Sequence, residues 1–181
     1  MKRAQSERGQ VAAPAGGQAG VADVTPLIND LTCKDVYKCR RARRALVEMG
    51  DPAIPHLMDA LKHLKGWVRW EAAKALGQIP GPVATDALVT ALGDNSFDVR
   101  WLAAEGLIDR GREALKPLMK ALIEGSDSAD LREGAHHVLF DLSHGSLRDT
   151  VLPVLQALED VDPSMEVPLK ARALLGTIGG S

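Results

Sequence analysis

The sequence predicts an all-α fold, a right-handed α-α superhelix (a solenoid) of about five helical hairpins. Two observations lead there. "WVRWEAAKALGQI", residues 67–79, returns as "DVRWLAAEGLIDR", residues 98–110, so that Val68, Arg69 and Trp70 come back as Val99, Arg100 and Trp101. The spacing holds elsewhere: Arg69 to Arg100 and Leu76 to Leu107 are both 31 residues, and Arg100 to Arg132 is 32. Self-similarity at such a period marks stacked units, each unable to bury its apolar stripe alone. The composition agrees. Of 181 residues, 45% are hydrophobic but only 3% aromatic. That balance suits close-packed helices rather than a β-sandwich.

In chain order, residues 1–24 read as a disordered tail. "MKRAQSERGQVAAPAGGQAG" is rich in Gly, Ala and Gln, and burial would not offset the cost of ordering it. Its lack of an apolar run also argues against a secretory signal. No stretch approaches the length of a membrane span, so a cytoplasmic location is expected. Residues 25–181 form the repeat domain, in units of 25–51, 52–81, 82–112, 113–148 and 149–180. The first helix of a unit places apolar residues at i, i+1 and i+4, as in Leu57, Met58, Leu61 and Leu88, Val89, Leu92. The second places them at i, i+4, i+7 and i+8, as in Val68, Ala72, Ala75 and Leu76. Both patterns make one stripe on a helix. Pro or a capping residue opens first helices at Asp51-Pro52, Thr85-Asp86 and Lys116-Pro117. Gly50, Gly81, Gly111, Gly145 and Gly179 close the second helices or begin the turns after them. Ala72-Ala73 and Ala103-Ala104 let neighbouring helices approach closely.

"WVRWEAAKALGQI" and "DVRWLAAEGL" resemble HEAT repeats, of the short bacterial type also called PBS-lyase HEAT-like repeats. The resemblance covers residues 25–180 and is most specific in units two to four. It implies a hydrogen-bonded ladder along the stack, made by a turn Asp and the Arg two residues later. Asp98 with Arg100 and Asp130 with Arg132 have that pattern. Arg69 has Trp67 where the Asp would stand, so it would have to reach an Asp of the next repeat. Tyr37 and Cys39 occupy these places in the first unit, and Pro168 replaces the Arg in the last. Divergent ends suit capping repeats.

Some HEAT-like proteins are enzymes, and three types bear on this chain. Deoxyhypusine hydroxylases use His-Glu pairs, which this chain lacks. Its His136 and His137 point about 100° apart on a helix and do not readily share a metal. His137 and Asp141, at i and i+4, are a weak metal signal. His136 is expected in the core slot held by Ala73 and Ala104, with His137 in solvent. Cys33 and Cys39 lack a second pair and read as reduced thiols. There is no P-loop or nucleophile elbow. No catalytic residue, cofactor or metal is therefore assigned.

The expected function is a non-enzymatic scaffold that binds a protein partner on the concave face. The alternatives are a nucleic-acid-binding, glycosylase-like protein using a basic face, or a bilin-lyase-like enzyme or subunit. A net charge of −2 argues against coating nucleic acid with the whole surface. In "KCRRARR", however, Arg40, Arg41, Arg43 and Arg44 spread over about 160° opposite Ala42, Ala45, Leu46 and Met49. That face would grip phosphates or an acidic partner, unless its arginines pair with Glu48 and Glu71. Alignment by Leu46, Leu76 and Leu107 puts Arg40, Trp70 and Trp101 in one column and Arg44, Lys74 and Glu105 in the next. With His137, these are the expected partner-binding residues, because aromatics beside cations compose a binding hot spot. The competing expectation is that each Trp lies across an adjacent helix against a cation.

Overall fold

The computed structural model describes residues 24–179. The expected tail lies outside them except for Val24, which is buried. Among the described residues the structure is helical, without strands. The helices come in pairs: α1 (Thr25–Thr32) with α2 (Val36–Met49), α3 (Ile54–Ala60) with α4 (Gly66–Gln78), and α5 (Pro82–Ala91) with α6 (Phe97–Arg110). Then follow α7 (Arg112–Glu124) with α8 (Ala129–Leu142) and α9 (Arg148–Leu158) with α10 (Pro163–Ile178).

Local chemistry sets these boundaries. The Asp35 carboxylate accepts from the Tyr37 and Lys38 N–H groups at 3.0 and 3.2 Å, which satisfies two orphan donors at the start of α2. Pro26, Pro82 and Pro163 sit in first turns, where the missing N–H costs nothing. Gly50, Gly81 and Gly111 have φ of +68°, +106° and +55°. A side chain would be strained there, so glycine ends each of the first three pairs and turns the chain into the next.

α1, α3, α5 and α7 stack in one layer, and α2, α4, α6 and α8 in the second. A single apolar core runs from Val24 to Leu174. Ala72, Ala73, Ala103 and Ala104 are fully buried at the contact of α4 with α6. That contact is tightest at two glycines. A β-carbon on Gly106 would stand 2.9 Å from Leu88 Cδ1 and 3.0 Å from Gly77 Cα. Arg110, at the end of α6, reaches across to the end of α4 and donates to the carbonyls of Leu76 (2.9 Å) and Ile79 (2.7 Å). It supplies the Ile79 carbonyl just past the helix end and gives the Leu76 carbonyl a second donor beside the Ile79 N–H. Burial lowers its pKa from the ordinary arginine value, and Asp109 and Glu113 oppose that shift.

The structure departs from the sequence expectation in two places. The first concerns where helices open. α5 begins at Pro82, before Thr85-Asp86, and α7 begins at Arg112, which leaves Pro117 inside the helix. The second concerns the last hairpin. α9 packs on α8, and α10 packs on α7, so the two layers are exchanged relative to the preceding pairs. The Ser126 hydroxyl donates to the Ser164 carbonyl at 3.4 Å, so the start of α10 meets the end of α7. The link from α8 to α9 explains the exchange. It runs over residues 143–147 without a positive-φ glycine, and Leu147 is buried within it. A longer link lets α9 fold back onto α8, and α10 then closes on α7.

Candidate functional site

The repeated arginines organise the turns. Each donates from Nη1 to the carbonyl six residues before it: Arg69 to His63 (2.9 Å), Arg100 to Asp94 (2.8 Å), and Arg132 to Ser126. Two of them also bridge to the next repeat. Arg69 grips Asp94 with two bonds, at 2.7 and 3.0 Å, and Asn95 at 2.6 Å. Donation to the Asp94 carboxylate, helped by its charge, raises the Arg69 pKa beyond the ordinary value, against the effect of burial. Arg100 reaches Asp130 at 3.0 Å and also Glu133. Among the described residues Arg132 has no such bridge. Arg69 reaches an Asp of the next repeat, as expected, and that residue is Asp94 in the turn. The ladder role expected of Asp98 is corrected: it is exposed on the first turn of α6, while Asp130 takes Arg100 of the preceding repeat. Asp94 serves two repeats at once, with its carboxylate taking Arg69 and its carbonyl taking Arg100. This network is a structural clamp, because Arg69, Asp94 and Arg100 are largely enclosed and their polar groups are spent on turn carbonyls and on the next repeat.

The basic face on α2 is corrected in one member, which takes the expected alternative of pairing with Glu71. Arg40, Arg41 and Arg44 are exposed, but Arg43 turns inward and pairs with Glu71 of α4. The reason is local. Cys39 and Ala42 are the buried positions there, and Arg43 follows Ala42 round the helix to the α4 side. Beside this pair lies a groove of about 520 Å³ between α2 and α4. Val36, Arg40, Trp67, Trp70 and Lys74 line it, with Lys34 and Cys33 at one end. Trp70 is half-buried against the core, and Lys74 Nζ stands 4.4 Å from its ring centroid. Trp67 is 40% exposed, with Lys65 Nζ at 5.1 Å and Lys34 Nζ at 6.0 Å. Cys39 is buried at the back. Its thiol donates to the Cys33 carbonyl at 3.1 Å, and burial, with Cys33 adding to it, pushes its pKa up to about 11.

Trp101 belongs elsewhere. It is 45% exposed, and its ring lies 4.2 Å from that of His137 on α8 and 5.9 Å from that of Phe97. His137 also faces Glu105 at 3.7 Å. So Arg40, Trp70 and Lys74 come together in one place, and Trp101, Glu105 and His137 in another, while Arg44 joins neither. His136 does not occupy the alanine slot. Its ring is partly exposed and bonds Glu159 at 3.1 Å, and Ala135 is the buried residue instead. Asp141 is exposed and His137 pairs with Glu105. Among the described residues no three His, Cys, Asp or Glu side chains converge as a metal would need. Sequence reading missed Trp67 and Phe97 as members of these clusters. Both are aromatics in a first helical turn, where a large exposed apolar side chain is itself the signal.

The arrangement offers two aromatic clusters on one helical layer, the first ringed by cations and the second containing a carboxylate and an imidazole. The family model described as HEAT repeats matches residues 24–108. Among solved structures, the chain is similar to one from the complex of CpcE and CpcF of phycocyanin lyase from Nostoc sp. PCC7120. The identity is 24%, the match covers 85% of this chain and 98% of that one, and the TM-score is 0.55. At that identity the likeness speaks to the fold alone. An engineered protein aligns at 22% identity over 87% of this chain and 79% of its own, with a TM-score of 0.38. No curated protein matches the chain. No described helix is long and apolar enough to cross a membrane. Over residues 24–108 the chain is similar to HEAT repeats, and the described residues form a helical stack of paired helices.

Proposed function

We propose that this protein is a non-enzymatic scaffold that binds a protein partner on the exposed face of the α2, α4, α6 and α8 layer. One observation carries the reading. Trp67, Trp101, Phe97 and Val36, all large and apolar, stay 40–66% exposed on that layer, and Lys34, Arg40 and Lys74, without ion pairs among the described residues, stand in the groove with Val36 and Trp67. Single exposed apolar residues are ordinary, but a series of them along one face marks a surface that partners cover. Solenoids commonly bind in this way, through equivalent positions of successive repeats. The CpcE and CpcF structure is itself a complex of two proteins, which is in keeping with a protein partner.

A second reading takes the same likeness further, to a bilin-lyase-like enzyme or subunit. A tetrapyrrole absorbance band in the purified protein would favour it. The scaffold reading is tested by capture from extracts of the source cell, with the paired variant Trp67→Ala and Trp101→Ala, both exposed, beside the parent. The expected result is loss of the native partner with little change in melting temperature. Equal capture by parent and variant would remove this face from consideration.

A further inference from the structure

We infer that the groove between α2 and α4 takes a peptide segment in which acidic and apolar side chains alternate, presented by the protein partner. The inference rests on the scaffold reading and names the chemistry of one part of its face. The groove floor is apolar and wet: Val36 is 66% exposed, Trp67 is 40% exposed, and Trp70 lies half-buried beside them. Covering such surface is favourable by about 25 cal/mol per Å². The rim is cationic. Lys34, Arg40 and Lys74 have no ion pair among the described residues, while the carboxylate in the groove, Glu71, is taken by Arg43. A volume of about 520 Å³ holds a few side chains and is too small for a folded domain.

Two other occupants fit less well. The chain's own first residues carry Lys2, Arg3 and Arg8 against Glu7 and Asp23, a charge of the same sign as the rim. A nucleic-acid strand needs a continuous basic track. Beyond α4 this face turns acidic, with exposed Asp98, Glu105 and Asp109 on α6 and Glu133 on α8. A segment carrying both carboxylates and apolar groups satisfies the rim and the floor together.

The test uses the full chain and three probes: a short peptide of alternating Asp and Leu, its Asn and Leu counterpart, and an oligothymidylate. Two readouts are available inside the groove, tryptophan emission and the rate of Cys33 alkylation. Cys33 is half-buried there, whereas Cys39 is enclosed and its thiol is pushed up to about 11, so alkylation near neutral pH reports on Cys33. The Asp–Leu peptide is expected to shift the emission and slow the alkylation, and to bind about tenfold more tightly than the Asn–Leu peptide. Arg40→Glu should weaken it by a similar factor, and Arg41→Glu, on the same helix but outside the groove, should leave it unchanged. Equal binding of the two peptides, tighter binding of the oligothymidylate, equal loss from both arginine variants, or unprotected Cys33 would each overturn the inference. If the native partner is captured through Trp101 while the Asp–Leu peptide is ignored, the scaffold stands and this groove assignment falls.

Discussion

The first three hairpins and the last one are assembled by different means. Each of the three ends on a glycine with positive φ, and Arg43, Arg69 and Arg100 each bridge to a carboxylate one repeat further on. The last is joined through residues 143–147, has Pro168 where an arginine would stand, and enters with its layers exchanged. Both ends of the molecule bury an apolar stripe: Val151, Val154, Val167 and Ala171 are fully buried, as are Val68, Ala72, Val99 and Ala103 within 1%. Hydrophobic burial is non-directional, so the stripe alone does not dictate which layer a helix joins. Turn geometry and side-chain reach do.

The sharpest break in the regular stack comes from Arg110→Ala. The Ile79 carbonyl would lose its Arg110 donor and the Leu76 carbonyl one of its two donors inside the fold, and we expect a loss of about 3 kcal/mol. Urea denaturation measures it, and a variant that unfolds at the parent midpoint would show the capping role to be wrong. Gly106→Ala comes next. Its β-carbon would meet Leu88 and the Gly77 backbone at about the closest approach of α4 and α6, at an expected cost of about 2 kcal/mol.

A third comparison sets Arg100→Ala against Arg132→Ala. Both lose a bond to a turn carbonyl, but only Arg100 also bridges to Asp130 and Glu133. Both carboxylates are substantially exposed, which limits the value of the pairs. We expect about 1–3 kcal/mol for Arg100 and under about 1 kcal/mol for Arg132. Similar losses would mean that the inter-repeat bridge adds nothing. The smallest effect is a gain. Gly176 in α10 has open space around its would-be β-carbon and no positive φ, so Gly176→Ala should stabilise the last hairpin by about 0.5–1 kcal/mol. A destabilised variant would indicate that α10 is packed more closely there.

The helices, their pairing into hairpins and their amphipathic stripes were legible because they are local. A 31-residue return of Val-Arg-Trp and a glycine after Leu46, Leu76 and Leu107 are properties of the chain before it folds. The candidate site was legible only by columns. Helical periodicity put Arg40, Trp70 and Lys74 on outward faces, but it did not say that these residues share a groove while Trp101 turns to His137 on the opposite neighbour. It put Arg43 on the basic face and offered Glu71 as a partner for that face, but only the fold decided that Arg43 is the arginine Glu71 on the next repeat draws inward. Likewise the sequence called for an Asp of the next repeat to receive Arg69, and the structure decided that it is Asp94, which the guanidinium reaches in the turn. Periodicity by itself determined which residues lie on which side of each helix. The tertiary structure decided which sides meet, because that choice rests on turn length and on the reach of single side chains, and neither repeats along the chain.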